Sequence, residues 1–266
     1  MLGVPRITPR FARVLLTIAV GITACVPSQP SDSKPDAAPK TTKKAESKPR
    51  TAPTHSAGRR STPPNEQPPD PLLTAPFEDR FDRTDIGSDW RSLGNSWSIK
   101  NGKLCVRQAR NQGIWLRRRL PINARIEFEA VSESPDGDIK AEYWGDGLSG
   151  ATSVSYTNAT SYLTIFGGWK NSFHVLARID EHAPNRLEVR TNLTSPQERE
   201  KPVTPGRSYT FRVERTDGKT ISWWVDGHLI HRLEDPEPLV GRGHDHFGFN
   251  NWEVPICFDN LMITPL

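Results

Sequence analysis

Between Trp144 and His182 the chain gathers side chains whose types suit a sugar. Trp144, Tyr162 and Trp169 offer flat aromatic faces on which the C–H face of a sugar ring stacks. Asp146, Asn171, Asp180, Glu181 and His182 offer acceptors and donors for its hydroxyls. Gly167-Gly168 stands directly before Trp169, and paired glycines let a backbone come close to a ligand or turn sharply. The same residues also suit a sandwich core with a glycine turn, and Asp180-Glu181-His182 also suits a surface turn. Carboxylates at Glu142, Asp146 and Glu181 are the candidates for acid–base chemistry, because glycoside hydrolysis needs two carboxyls flanking one bond. His228-x-x-His231 and His244-x-His246 have ligand-like spacing but no nearby cysteine partners. There is no nucleophile elbow and no glycine-rich phosphate loop.

The elements that must position these groups read as short strands. Arg125 to Val131 alternates, with Ile126, Phe128 and Ala130 on one face and Glu127 and Glu129 on the other. Tyr209 to Arg215 alternates in the same way. Asn101-Gly102 predicts a tight hairpin turn between Trp97–Lys100 and Lys103–Arg107. Asp136-Gly137, Asp217-Gly218 and Asp226-Gly227 predict further turns. No stretch shows a 3.6-residue period. A dozen or so short strands with glycine turns predict an all-β fold, a two-sheet antiparallel sandwich over residues 76–266.

Phe77-x-Asp79-x-Phe81, the Trp-x-Ile-x-Asn-Gly hairpin, Ser222-Trp-Trp-Val-Asp-Gly227 and Phe258-Asp-Asn-Leu-x-Ile263 together resemble the concanavalin A-like lectin/glucanase superfamily. Within it they are similar to bacterial jelly-roll, laminin-G-like domains. The resemblance implies two antiparallel sheets, one concave, with the first and last strands side by side. Its retaining glucanases carry Glu-x-Asp-x-(x)-Glu on one strand. Here Asp138-Ile-Lys140-Ala-Glu142 shares a face but has lysine in the middle, and its carboxylates would stand about 13 Å apart along a strand. The superfamily's structural calcium implies Asp79 and Asp259 as ligands. Two carboxylates alone do not make such a site, and pairing of Asp79 with Arg80 or Arg83 is the alternative.

Residues 1–24 read as a signal peptide: Arg6, Arg10 and Arg13, then an apolar run from Val14 to Ile22 too short to span a membrane. Ile22-Thr23-Ala24-Cys25 resembles the lipobox of bacterial lipoproteins, which implies lipidation of Cys25 and anchoring to a membrane, with Val26 favouring the outer membrane or cell surface. Residues 25–75, rich in Pro, Lys, Ser and Thr, read as a disordered tether. The net charge of +4 resides partly in that stretch, so it is weak evidence for nucleic acid, and no nucleic acid is expected as a partner. Of three cysteines, Cys105 and Cys257 remain for the folded part. Both occupy strand positions that want an apolar side chain, which favours free core thiols over a disulfide.

The reading that follows is a monomeric, membrane-anchored surface lipoprotein whose jelly roll binds a glycan or polysaccharide, with no cofactor beyond a structural calcium. A structural or adhesive envelope protein ranks behind it, and a glycoside hydrolase of the same fold behind that.

Overall fold

The computed structural model describes residues 69–266. The signal peptide, Cys25 and most of the tether lie outside the described residues. Packing begins at Asp70, earlier than expected. Leu73 donates its N–H to the Arg119 carbonyl (2.8 Å) and Arg119 returns one to Pro71 (2.8 Å). Leu73 is buried in the core.

Among the described residues, fifteen strands form two antiparallel sheets. They are β1 (Phe77–Asp79), β2 (Trp90–Ser92), β3 (Trp97–Lys100), β4 (Lys103–Val106), β5 (Ile114–Arg119), β6 (Ala124–Ser132), β7 (Ile139–Gly145) and β8 (Tyr162–Gly167). They continue with β9 (Phe173–Arg178), β10 (Leu187–Arg190), β11 (Ser208–Arg215), β12 (Thr220–Val225), β13 (His228–Glu234), β14 (His246–Asn250) and β15 (Ile256–Pro265). One sheet runs β13-β12-β11-β6-β15-β4-β3, with β1 also beside β15. The other runs β10-β9-β8-β7-β14-β5-β2. The sandwich is therefore as predicted, and the first and last strands pair, Phe77 opposite Ile263 and Asp79 opposite Leu261.

Alternation drives the layering. On β6, Ile126, Phe128 and Ala130 point into the core, as read from the sequence. Phe128 and Phe258 from one sheet meet Phe247 and Phe249 from the other. Phe249 stacks on Phe258 at 4.1 Å and meets Phe128 edge-on at 5.1 Å. Asn101 (φ 50°) and Gly102 (φ 70°) make the predicted hairpin turn.

Cys105 and Cys257 form a disulfide, contrary to the expectation of free thiols. They are directly opposed on neighbouring strands β4 and β15, with Cα atoms 4.1 Å apart. That register lies in the pairing of distant strands and not in the local residue pattern.

Candidate functional site

Strand β7 carries the floor of the site. Ala141 and Tyr143 face the core, so Lys140 and Glu142 face outward from the seven-stranded sheet. Both are nevertheless buried. The reason is the loop of residues 146–161, which folds back over this face. Its Tyr156 hydroxyl donates to the Glu142 carboxylate (3.0 Å), and its backbone N–H donates to Glu181 (3.0 Å). Glu142 also accepts from Ser161 (2.6 Å) and Asn250 (2.6 Å). Burial outweighs these donors and raises its carboxyl to about 7.

Next to this covered stretch an open cleft of about 360 Å³ lies over the start of β7. Its floor is Asp138, Lys140 and Glu181, and Trp169 and Trp252 stand among its walls. The Lys140 ammonium donates to Glu181 (3.0 Å) and Asn111 (3.3 Å), and lies 3.9 Å from Asp138. Burial alone would lower the lysine. The carboxylates of Asp138 and Glu181 more than offset that and hold it above its ordinary value. Asp138 is raised to about 6 by burial, against the pull of Lys140.

Trp169 reaches the cleft from a left-handed turn. Gly167 (φ 75°) is followed after Gly168 by Trp169 (φ 50°), Lys170 (φ 56°) and Asn171 (φ 59°). Non-glycine residues pay for that conformation, about 1–2 kcal/mol each, so the surroundings must hold it. His174 Nδ1 accepts the Gly167 N–H (2.9 Å) while Nε2 donates to the Lys201 carbonyl (2.9 Å). That bonding requires a neutral ring, and burial lowers His174 to about 4. Asn171 donates to Pro135 and Val203 and accepts the Val203 N–H. A Cβ at Gly137 would come within 2.7 Å of the Gly167 carbonyl, which itself accepts the Asp138 N–H at 2.9 Å. The glycine contact thus brings Asp138 against the turn that presents Trp169. The Arg186 guanidinium lies 4.3 Å from the Trp169 ring centre and that of Arg110 4.6 Å from Trp252, so each indole is backed by a cation.

Of the expected binding residues, Trp169, Glu181 and His182 meet in this cleft. Asn171 buttresses it. Asp180 shapes its edge by accepting the His182 N–H (2.8 Å). Trp144 and Tyr162 go elsewhere, into the core. Alternation would place Trp144 beside Lys140 and Glu142. Its positive φ of 54°, at a register shift between β7 and β14, turns the indole inward. There its N–H donates to Pro121 (3.0 Å) and Arg215 lies over the ring at 3.9 Å. Tyr162 donates its hydroxyl to Asp235 (2.7 Å). Asp146 lies at the opposite end of β7, capping Leu148 and Ser149 (both 2.8 Å) and lining a different cleft with Arg91, Arg119 and His246. The three candidate catalytic carboxylates therefore do not share one opening: Glu142 is covered, Asp146 is remote and Glu181 is paired with Lys140.

Asp138 and Trp252 belong to the cleft but were not among the expected binding residues. Antiparallel pairing of Asn250 with Lys140 carries Trp252, two residues beyond β14, to the end of β7 where Asp138 sits. The shared face of Asp138 and Lys140 was visible in the sequence, but the arrival of Trp252 depends on long-range register.

Asp79 and Asp259 do not fit a calcium site. Asp79 accepts from Arg83 (2.6 and 2.9 Å), the Trp90 indole (2.8 Å) and the Phe81 N–H (2.9 Å). Asp259 pairs with Lys103. Cations and N–H donors take the oxygens that a metal would need.

No protein-family model matches the chain, and no curated protein matches it in sequence. Among solved structures it is similar to the carbohydrate-binding module CBM66 from Bacillus subtilis, with a TM-score of 0.50 and 14% identity over 68% of this chain and 98% of that one. It is also similar to the alginate lyase Aly36B, with a TM-score of 0.49 and 10% identity over 72% and 97% of the two chains. A native glycosidic hydrolase gives a TM-score of 0.49 and 13% identity over 73% and 98%. At these identities the likeness is one of fold alone, the two-sheet jelly roll that the module shares.

Proposed function

We propose that residues 69–266 form a carbohydrate-binding jelly roll, that the cleft over the start of β7 is its saccharide site, and that Cys25 anchors the protein by lipid to the cell envelope. The observation that carries the binding reading is the pairing of two half-buried indoles, Trp169 and Trp252, with a buried charged floor in one open cleft. A sugar ring needs that combination, a flat apolar face beside fixed polar groups. The fold shared with the carbohydrate-binding module supports the same reading. Retention of the full chain on immobilised polysaccharides tests it: the native protein is held back and Trp169→Ala elutes with the void. A chain that no glycan retains would leave the structural or adhesive reading in its place, which the burial of Trp144 and Tyr162 in the core favours.

Anchoring rests on the lipobox-like tetrad ahead of Cys25. Growth with an alkyne-tagged palmitate should label the native chain in the membrane fraction, with Cys25→Ser unlabelled and soluble. Equal labelling of the two would remove the anchor from the account.

A further inference from the structure

Five acidic side chains are buried among the described residues: Asp79, Asp138, Glu142, Glu181 and Asp235. Four have their oxygens satisfied. Asp79 takes Arg83 and Trp90, and Glu142 takes Tyr156, Ser161 and Asn250. Glu181 takes Lys140 and the Tyr156 N–H, and Asp235 takes Tyr162 and Arg178. Asp138 is the exception. It is 9% exposed, and its carboxylate accepts no hydrogen bond from any described residue. Its nearest cation, Lys140, stands 3.9 Å away and is committed to Glu181 and Asn111. Its oxygens open on the cleft lined by Trp169 and Trp252, where solvent or a ligand hydroxyl reaches them.

We infer that Asp138 is the residue that reads the ligand in this cleft, accepting hydrogen bonds from its hydroxyls, and that it selects neutral saccharides over those bearing carboxylates. The inference rests on the glycan reading of the cleft and adds the class of sugar. A sugar hydroxyl supplies the donor that Asp138 lacks. A uronate brings a second carboxylate to a floor where the available cation is already spoken for. Around the rim, Glu253 is bridged to Arg110 (2.6 Å), which leaves Asp136 and Asp138 facing Lys170. The balance therefore disfavours an anionic ligand, and a charge-assisted hydroxyl-to-carboxylate bond is stronger than a neutral one.

The test uses the full chain in isothermal titration against neutral polysaccharides (dextran, galactomannan, mixed-linkage β-glucan) and uronates (alginate, polygalacturonate). At least one neutral polymer should bind tenfold or more tightly than either uronate. Asp138→Asn should weaken that binding at least tenfold with the strands retained by circular dichroism, since asparagine tolerates the φ of 61° found at this position. Uronate binding as tight as neutral binding, or unaltered affinity in Asp138→Asn, overturns the inference while the glycan reading stands. Binding of neither class by the native chain takes down both.

Discussion

Lys140 and Glu181 are joined by a 3.0 Å ion pair that ties the second residue of β7 to the turn beyond β9. Both are buried, so each depends on the other. Removing Lys140 strands two carboxylates, Glu181 and Asp138. Removing Glu181 leaves the ammonium with Asp138 3.9 Å away. Lys140→Met should therefore cost about 3–5 kcal/mol, more than Glu181→Gln does. The double variant should recover part of that loss. Urea unfolding of the three variants checks the order.

Arg186 backs the indole of Trp169 at 4.3 Å. It also donates to the Glu181 carbonyl at 2.6 Å, so it fixes the cleft wall and floor together. Arg186→Ala should leave the strands intact by circular dichroism and weaken glycan binding about fivefold, the equivalent of a cation–π contact of ~1 kcal/mol. Titration calorimetry reads the change.

Glu142 gives the protein a stability profile with a definite sign. Its folded carboxyl is raised to about 7 from an ordinary value of 4.5, so the folded state holds the proton more tightly. The favourable contribution is complete below about pH 4.5 and is lost as pH rises through 7. His174 acts in the opposite sense: lowered to about 4 from 6.5, it costs stability as pH falls through that window. Glu142→Gln isolates the first effect. Relative to the native chain, its unfolding free energy should improve between pH 4.5 and pH 8 by on the order of 3 kcal/mol. Urea titrations at the two pH values measure it.

The disulfide joins residues 152 apart in sequence. On a chain-entropy view, closing so long a loop contributes about 4–5 kcal/mol. Cys105→Ala with Cys257→Ala should lose that much in urea. A thiol titration of unfolded, non-reduced Cys25→Ser protein should find no free thiol, and two would contradict the bond.

Local pattern carried the sandwich. The alternation of Ile126, Phe128 and Ala130 and the Asn101-Gly102 turn are both properties of a few adjacent residues. The site was legible only where it too is local. Trp169, Glu181 and His182 lie on a turn and a strand end that neighbour each other in sequence. Trp144 was misplaced because a single positive φ reverses which side of β7 its indole faces. Trp252 and the bonding of Cys105 to Cys257 follow from β14 against β7 and β15 against β4. Those registers are set by global packing and leave no mark in a short window.

The most direct test of the account is retention of three single tryptophan variants on the polysaccharide that holds the native chain. Trp169 and Trp252 line the cleft, while Trp224, half-buried on β12 beneath Arg212 at 4.2 Å, belongs to the other sheet. Loss of retention in Trp169→Ala and Trp252→Ala, with Trp224→Ala held as firmly as the native chain, is the predicted result. Full retention of both cleft variants, or loss only in Trp224→Ala, would contradict the placement of the glycan over the start of β7.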